Sequence, residues 1–154
     1  MADSTAEHPL QIQTHYVKDL SFENPNAPEI FAIMLKSQPQ VSVNMDVRSR
    51  HLTERTFEVV LNLRVGAQAG DKSAFLVDLH YGALADVRAG VPDDEIEALL
   101  LKEGPRYIFP FARSTLADVT REGGFPPLVM NPIDFDRFYE RNRQANAQDS
   151  SALA

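Results

Sequence analysis

Alternation of apolar and polar residues dominates the first half of the chain. Residues 10–23, LQIQTHYVKDLSFE, place Tyr16, Lys18, Leu20 and Phe22 on one face and His15, Val17, Asp19, Ser21 and Glu23 on the other. That period of two is the signature of a strand with one buried face. In VSVNMDVR, residues 41–48, Val41, Val43, Met45 and Val47 alternate with Ser42, Asn44, Asp46 and Arg48. In TFEVVLNLRV, residues 56–65, Phe57, Val59, Leu61, Leu63 and Val65 stand opposite Glu58, Asn62 and Arg64. In AFLVDLHYG, residues 74–82, Phe75, Val77, Leu79 and Tyr81 point inward, with Asp78 and His80 outward. AGDKS, residues 69–73, is a tight turn joining the last two strands as a hairpin. The connections between the second, third and fourth strands are too short for parallel crossovers, so the sheet is expected to be antiparallel.

The second half changes period. VPDDEIEALLLKEGP, residues 91–105, opens with acids and ends at Lys102 and Gly104, which suits the helix dipole and a stop. FPFARSTLADVTREGG, residues 109–124, predicts a second helix opened by Pro110, with Leu116 and Val119 on its apolar stripe and Gly123–Gly124 at its end. NPIDFDRFYERNRQ, residues 131–144, predicts a third, capped by Asn131 with Pro132 at the first helical position and Asp134 in the first turn; Phe135, Phe138 and Tyr139 share a face. The fold class is therefore α+β: a four-stranded antiparallel sheet with helices packed on one face and water on the other. Gln11, Gln13, Asp19, Glu23, Glu58 and Asp78 fall on the wet face, where carboxylates keep a sheet soluble or offer a docking site. Residues 1–8 and 142–154 are expected to be flexible ends of a domain spanning 9–141, because they lack a run of large apolar residues.

Composition narrows the chemistry. The chain has 154 residues and a formal net charge of −7, with no basic patch of the kind nucleic acid requires. No cysteine is present, which removes disulfides, thiolate nucleophiles and Cys-based zinc sites. No apolar run approaches the ~18 residues of a membrane span, and the polar N-terminus lacks a signal peptide's features, so a cytoplasmic protein with no direct membrane insertion is expected. GDKSAF lacks the spacing of a phosphate loop. His8, His15, His51 and His80 are scattered without metal spacing. Asp134, Asp136 and Glu140 cluster at the start of the last predicted helix, where the dipole already accounts for acids. No catalytic residue, metal site or cofactor is assigned, and an enzyme is not expected.

Apolar residues interleaved with proline are the remaining feature. NPNAPEIFAIML, YIFPFA and GGFPPLVMNP hold large apolar side chains in segments that proline keeps rigid and out of a sheet ladder. They are either core, an oligomer interface or a groove for apolar ligands.

These segments carry a resemblance. YVKDLSFENPNAP, residues 16–28, resembles the first-strand signature of the SecB protein-export chaperones of bacteria, and FPFARSTLADVTREGGFPPLVMNPIDFDRFY, residues 109–139, resembles that family's helical half. FEVVLNLRV and AFLVDLHYG are similar to its third and fourth strands; residues 85–104 follow the family pattern less closely. The resemblance implies a cytoplasmic homotetramer, a dimer of dimers, that holds unfolded precursor proteins in an apolar groove, keeps them translocation-competent and delivers them to the SecA motor ATPase without a cofactor. By motif it implies a motor-docking surface of Asp19, Glu23, Leu76 and Asp78. It also implies a client groove, for which Phe31, Met34, Val41, Val43, Phe109, Phe111, Phe125 and Leu128 are the candidates. The alternatives are a SecB-like antitoxin-associated chaperone and a small α+β module that binds an apolar ligand.

Overall fold

Two tight turns organise the sheet. In the computed structural model, which describes residues 8–152, β1 (Leu10–Glu23) leads through the short helix α1 (Glu29–Met34) to β2 (Gln40–Thr53), β3 (Thr56–Ala69) and β4 (Lys72–Val87). Glu54 (φ 46°) turns the β2–β3 hairpin and Gly70 (φ 63°) the β3–β4 hairpin. Glycine has no Cβ penalty at such an angle, and Gly70 occupies the predicted turn. The order is β1-β4-β3-β2 with every neighbour antiparallel, so β1 and β2 are the two edges. The long helix α2 (Asp93–Glu122) crosses one face, and α3 (Phe135–Ala152) packs beside it. The expected class, one antiparallel sheet with helices on a single face, is the observed one.

The inward rows of β2, β3 and β4 are as the alternation predicts. Val59, Leu61, Leu63, Val65, Val77 and Leu79 are essentially sealed against the helices. Pairing carries these rows across the sheet, for Val43 faces Val65, which faces Val77. β1 departs from strict alternation. Its register against β4 shifts between Ile12 and Thr14 and again between Val17 and Asp19. Each extra residue exchanges the two faces of the strand. Leu20 and Phe22 therefore face the helices along with His15 and Val17, whereas Tyr16 joins Asp19, Ser21 and Glu23 on the open face, where Lys18 also reaches Glu58. The single face expected for Tyr16, Lys18, Leu20 and Phe22 is corrected accordingly.

The two helices expected over 91–105 and 109–124 are one. α2 runs 30 residues through Pro105 and Pro110. A proline inside a helix forfeits one hydrogen bond and crowds the carbonyl four residues back. Here packing outweighs that cost, because Leu100, Gly104, Ile108, Ala112, Leu116 and Thr120 form an unbroken buried stripe at a spacing of four. Gly104 is not a stop. A Cβ on it would lie 2.8 Å from Val59 Cγ1, so the glycine lets the helix backbone rest on β3. The end at Gly123–Gly124 is as predicted, with Gly124 at φ 91° and the Phe125 amide donating to the Thr120 carbonyl at 3.1 Å. α3 starts later than expected: Asp134, not Asn131, caps it, its Oδ1 accepting from the Arg137 amide at 3.1 Å. The helix also continues to Ala152, so residues 142–152 are helical where a flexible tail was expected. The flexible N-terminus expected at 1–8 falls outside the described residues except for His8, as do residues 153 and 154.

Two apolar clusters fill the layer between sheet and helices. The larger gathers Ile30, Phe75, Phe109, Leu116, Phe125 and Phe135; the smaller gathers Val59, Ala85, Val87 and Leu100 beneath the first turns of α2. Arg55 fastens the β4–α2 connection, donating to the carbonyls of Val87 (3.2 Å), Arg88 (2.8 Å) and Val91 (2.8 Å).

Candidate functional site

The open face of the sheet brings the four docking candidates together. Asp19, Ser21 and Glu23 of β1 lie opposite His80, Asp78 and Leu76 of β4. Asp19, Glu23, Leu76 and Asp78 thus share one face on adjacent strands, at the corner where β1 ends and β4 begins. The second bulge of β1 sets this register, since it precedes Asp19 and fixes the phase of Asp19, Ser21 and Glu23. Leu76 is 46% exposed and lies against Gly66 of β3, where a Cβ would come within 3.3 Å of its Cδ2. An exposed leucine among three carboxylates forms a surface suited to a cationic partner with an apolar contact. Asp78 Oδ1 is buried without a hydrogen bond, 3.3 Å from His80 Nε2, and His80 Nε2 is also 3.1 Å from Asn62 Nδ2.

Farther along the same face lies a charged cluster that alternation alone conceals. Glu58, expected in solvent, is only 6% exposed. Gly82 of β4 explains the burial: Tyr16 lies across it, with a ring carbon where a Cβ would be 2.6 Å away. Tyr16 Oη then donates to Glu58 Oε2 at 2.6 Å, while Lys18 Nζ (2.6 Å) and Arg50 Nη2 (3.3 Å) reach Oε1. Burial pushes the Glu58 carboxyl up, but the bonds from Lys18, Tyr16 and Arg50 outweigh it and hold the group below the usual range. Burial, reinforced by the hydrogen bond to Glu58, pushes the Tyr16 hydroxyl up to about 12. The sequence signal for this cluster is the pair of residues, Tyr16 and Lys18, brought to the open face beside a glycine in the neighbouring strand.

The groove candidates separate into three groups. Val41 (44% exposed) and Val43 (42%) stand on the helix-side face of the β2 edge. Phe31, Met34 and Leu128 are partly buried against the larger core cluster. Phe109 and Phe125 are each 4% exposed and belong to that core, which corrects their assignment to an open groove. Phe109 meets Phe135 edge-on at 5.7 Å, and Phe125 sits between Phe31 (5.3 Å) and Phe75 (5.0 Å). A ring enclosed by other rings in the protomer does not line an open groove. Phe111 is 41% exposed but belongs elsewhere, stacked on His15 of β1 at 4.1 Å. With Val17, Leu20 and Tyr107 it forms an exposed apolar patch along the free β1 edge. Sequence reasoning did not identify that patch, because the bulges decide where Val17 and Leu20 point.

The acids considered for catalysis have separate structural partners. Asp134 caps α3, Asp136 bonds Arg106 at 2.9 Å, and Glu140 lies 3.9 Å from Arg143. Among the described residues no cluster of His, Asp and Glu could hold a metal ion, and no helix is long and apolar enough to cross a membrane.

Comparison with known proteins places this architecture. A SecB-like chaperone of Mycobacterium tuberculosis, solved in complex with a ChAD peptide from an antitoxin, superposes with a TM-score of 0.69. It is 17% identical, covering 81% of this chain and 91% of that one, which shows a shared fold. The protein-export protein SecB of Rhodospirillum rubrum is 48% identical over 157 residues, covering 99% of this chain and 96% of the relative. That of Granulibacter bethesdensis is 47% identical over 150 residues, covering 92% and 86%. The family described as Preprotein translocase subunit SecB matches residues 3–146. With its sheet, its helical layer and nearly its whole length accounted for, the chain belongs to the SecB family.

Proposed function

We propose that this protein is a cytoplasmic holding chaperone for protein export. It binds unfolded precursor proteins on its apolar helix side, keeps them translocation-competent and hands them to the SecA motor ATPase docked on the open sheet face. The observation that carries the reading is the two-sided sheet. Asp19, Glu23, Leu76 and Asp78 converge on one face, and Val41 and Val43 stand half-exposed on the other. One sheet thus separates a polar docking surface from an apolar holding surface, and both can be occupied at once.

The client groove runs past Phe31, Met34, Val41, Val43 and Leu128, with Phe109 and Phe125 as its floor. Burial of apolar client surface supplies ~25 cal/mol per Å² before ordering costs, which needs no particular sequence. Copies of the groove on one assembly raise the effective concentration for a long client. The exposed patch of Val17, Leu20, Tyr107 and Phe111 beside the free β1 edge supports assembly into a dimer of dimers, since an unpaired edge with apolar flanks is an unsatisfied surface.

Titration calorimetry with the motor tests the docking face. Asp19→Asn with Glu23→Gln is expected to weaken binding at low and moderate salt and leave client holding intact; unchanged affinity refutes the assignment. Val41→Asn with Val43→Asn tests the groove by light scattering with a denatured precursor. Loss of aggregation suppression is expected, and full suppression by the folded variant removes these residues from the groove. Solution mass tests the tetramer.

A further inference from the structure

Beyond the acidic corner, where Arg64 already stands opposite Asp78, the open face gains cations. Lys18, Arg48 and Arg50 surround a shallow basin of about 570 Å³ with Glu58, Val60 and Asn62 at its base. Two carboxylates line the basin: Glu58 is sealed, its side chain 8% exposed against 42% for Lys18 and 66% for Arg50, and Asp46 is 49% exposed. Arg48, 85% exposed, engages Asp46 through Nε at 2.8 Å. Arg50 touches Glu58 through Nη2 alone. A guanidinium carries five N–H donors in a planar fork, so both arginines keep donors for a second, bidentate carboxylate. In a protein of net charge −7, the basin sets three cations against Asp46 and Glu58, a net positive patch facing the same way as Asp19, Glu23 and Asp78.

The spacing of the two poles follows from the register. Arg48 pairs with Val60, which pairs with Gly82, and Arg50 pairs with Glu58, which pairs with Leu84. At about 3.3 Å per residue along β4 and about 4.8 Å per strand, Asp78 lies roughly 16 Å from Arg48 and roughly 22 Å from Arg50. An extended peptide spans that distance in about five to seven residues. We propose that the segment docking on this face is dipolar: rich in lysine or arginine where it meets Asp19, Glu23 and Asp78, and bearing glutamate or aspartate about five to seven residues away, where it meets Arg48, Arg50 and Lys18. This deepens the docking reading and rests on it. The acidic pole gives affinity for any basic peptide. The basic pole discriminates among them, because a uniformly basic segment would place like charges against Arg48 and Arg50.

Fluorescence-anisotropy titrations of the full-length protein test this with three labelled peptides, made in both chain orders. One has a lysine run, a Gly/Ser spacer of about six residues and a glutamate run; a second replaces the glutamates by glutamine; a third replaces the lysines by glutamine. The lysine–glutamate peptide is expected to bind about three- to tenfold more tightly than the lysine–glutamine peptide, within the range for two exposed charge pairs. Arg48→Gln with Arg50→Gln is expected to abolish that gain and leave lysine–glutamine binding unchanged or tighter. Asp19→Asn with Glu23→Gln is expected to weaken both lysine-bearing peptides and preserve their ratio. No gain from glutamate, or a gain that survives Arg48→Gln with Arg50→Gln, overturns the proposal and leaves the acidic corner standing. Failure of the lysine–glutamine peptide to bind overturns the docking reading and the dipolar segment with it. Displacement by short single-stranded DNA as efficiently as by excess glutamate peptide marks an unselective anion site and also overturns the proposal.

Discussion

Replacing Gly104 by alanine measures how closely α2 rests on the sheet. Two effects oppose each other. Alanine gains about 1 kcal/mol over glycine inside a helix. Its Cβ, however, would stand 2.8 Å from Val59 Cγ1, 3.0 Å from Cγ2 and 3.2 Å from Cβ. Val59 cannot yield. It is fully buried, stiff at χ1, and paired on both sides, with Ser49 and with Ala83. Overpacking of this kind costs about 1–3 kcal/mol, so Gly104→Ala is expected to destabilise by up to about 2 kcal/mol net. Val59→Ala removes both methyl groups, for a loss of about 2–3 kcal/mol including the cavity. In that background only the Cβ of residue 59, 3.2 Å away, stays close, and most of the helix preference of about 1 kcal/mol should appear as stabilisation. The two changes should therefore couple by about 2 kcal/mol. Urea unfolding followed by far-ultraviolet circular dichroism reads this, at one protomer concentration for all variants because assembly contributes to apparent stability. Equal effects of Gly104→Ala in both backgrounds, or stabilisation of the parent protein, would refute the close-contact argument.

Glu58 and Tyr16 give opposite pH signatures in thermal melts. The Glu58 carboxyl is held below its ordinary range by Lys18, Tyr16 and Arg50 despite burial, so its contribution is present above that range and lost as pH falls through the lower folded value. Glu58→Gln should flatten the acid limb and cost about 1–3 kcal/mol near neutrality; an unchanged acid limb would deny the cluster its role. Tyr16 is pushed up to about 12 by burial and its bond to Glu58, so its contribution is complete below the ordinary tyrosine range and lost as pH rises toward that value. Tyr16→Phe should remove its share of the alkaline loss and leave that of Tyr81, whose hydroxyl burial also pushes up. Arg55→Met removes the donors to three backbone carbonyls at the start of α2 and should cost about 2 kcal/mol in urea unfolding, with the smaller core cluster loosening first in hydrogen exchange. Phe125→Ala should cost about 3–5 kcal/mol, because the ring is core between Phe31 and Phe75; normal stability with impaired client holding would return Phe125 to the open groove.

Much of the fold was legible in the sequence, for a definite reason. In β3 and β4 one face is sealed and the other is not, in β2 the helix side is only half-covered, and a strict period of two is the pattern that keeps the apolar rows in line across all three. The same logic placed Asp19, Glu23 and Asp78 on the wet face, and the motif resemblance added Leu76. β1 was harder to read, because each bulge adds one residue without any change in composition. The extra residue transfers Tyr16 and Lys18 to the open face and Val17 to the helix side. Glu58 was assigned to solvent for the same reason: only an adjacent strand with a glycine at position 82 lets Tyr16 lie down and cover it.

What the sequence determined by itself was which faces are apolar, where the sheet turns and where α2 ends, since periodicity and glycine chemistry are local. Whether Gly104 and Pro105 break a helix or let it rest on a strand was decided by Val59, 45 positions away in numbering yet in contact in space. The same holds for the phenylalanines. Phe109 and Phe111 are two residues apart, but one is enclosed by Phe135 and the other stacks on His15. Side chains two apart on a helix point in different directions, and only the neighbours that the tertiary structure supplies turn those directions into core or surface.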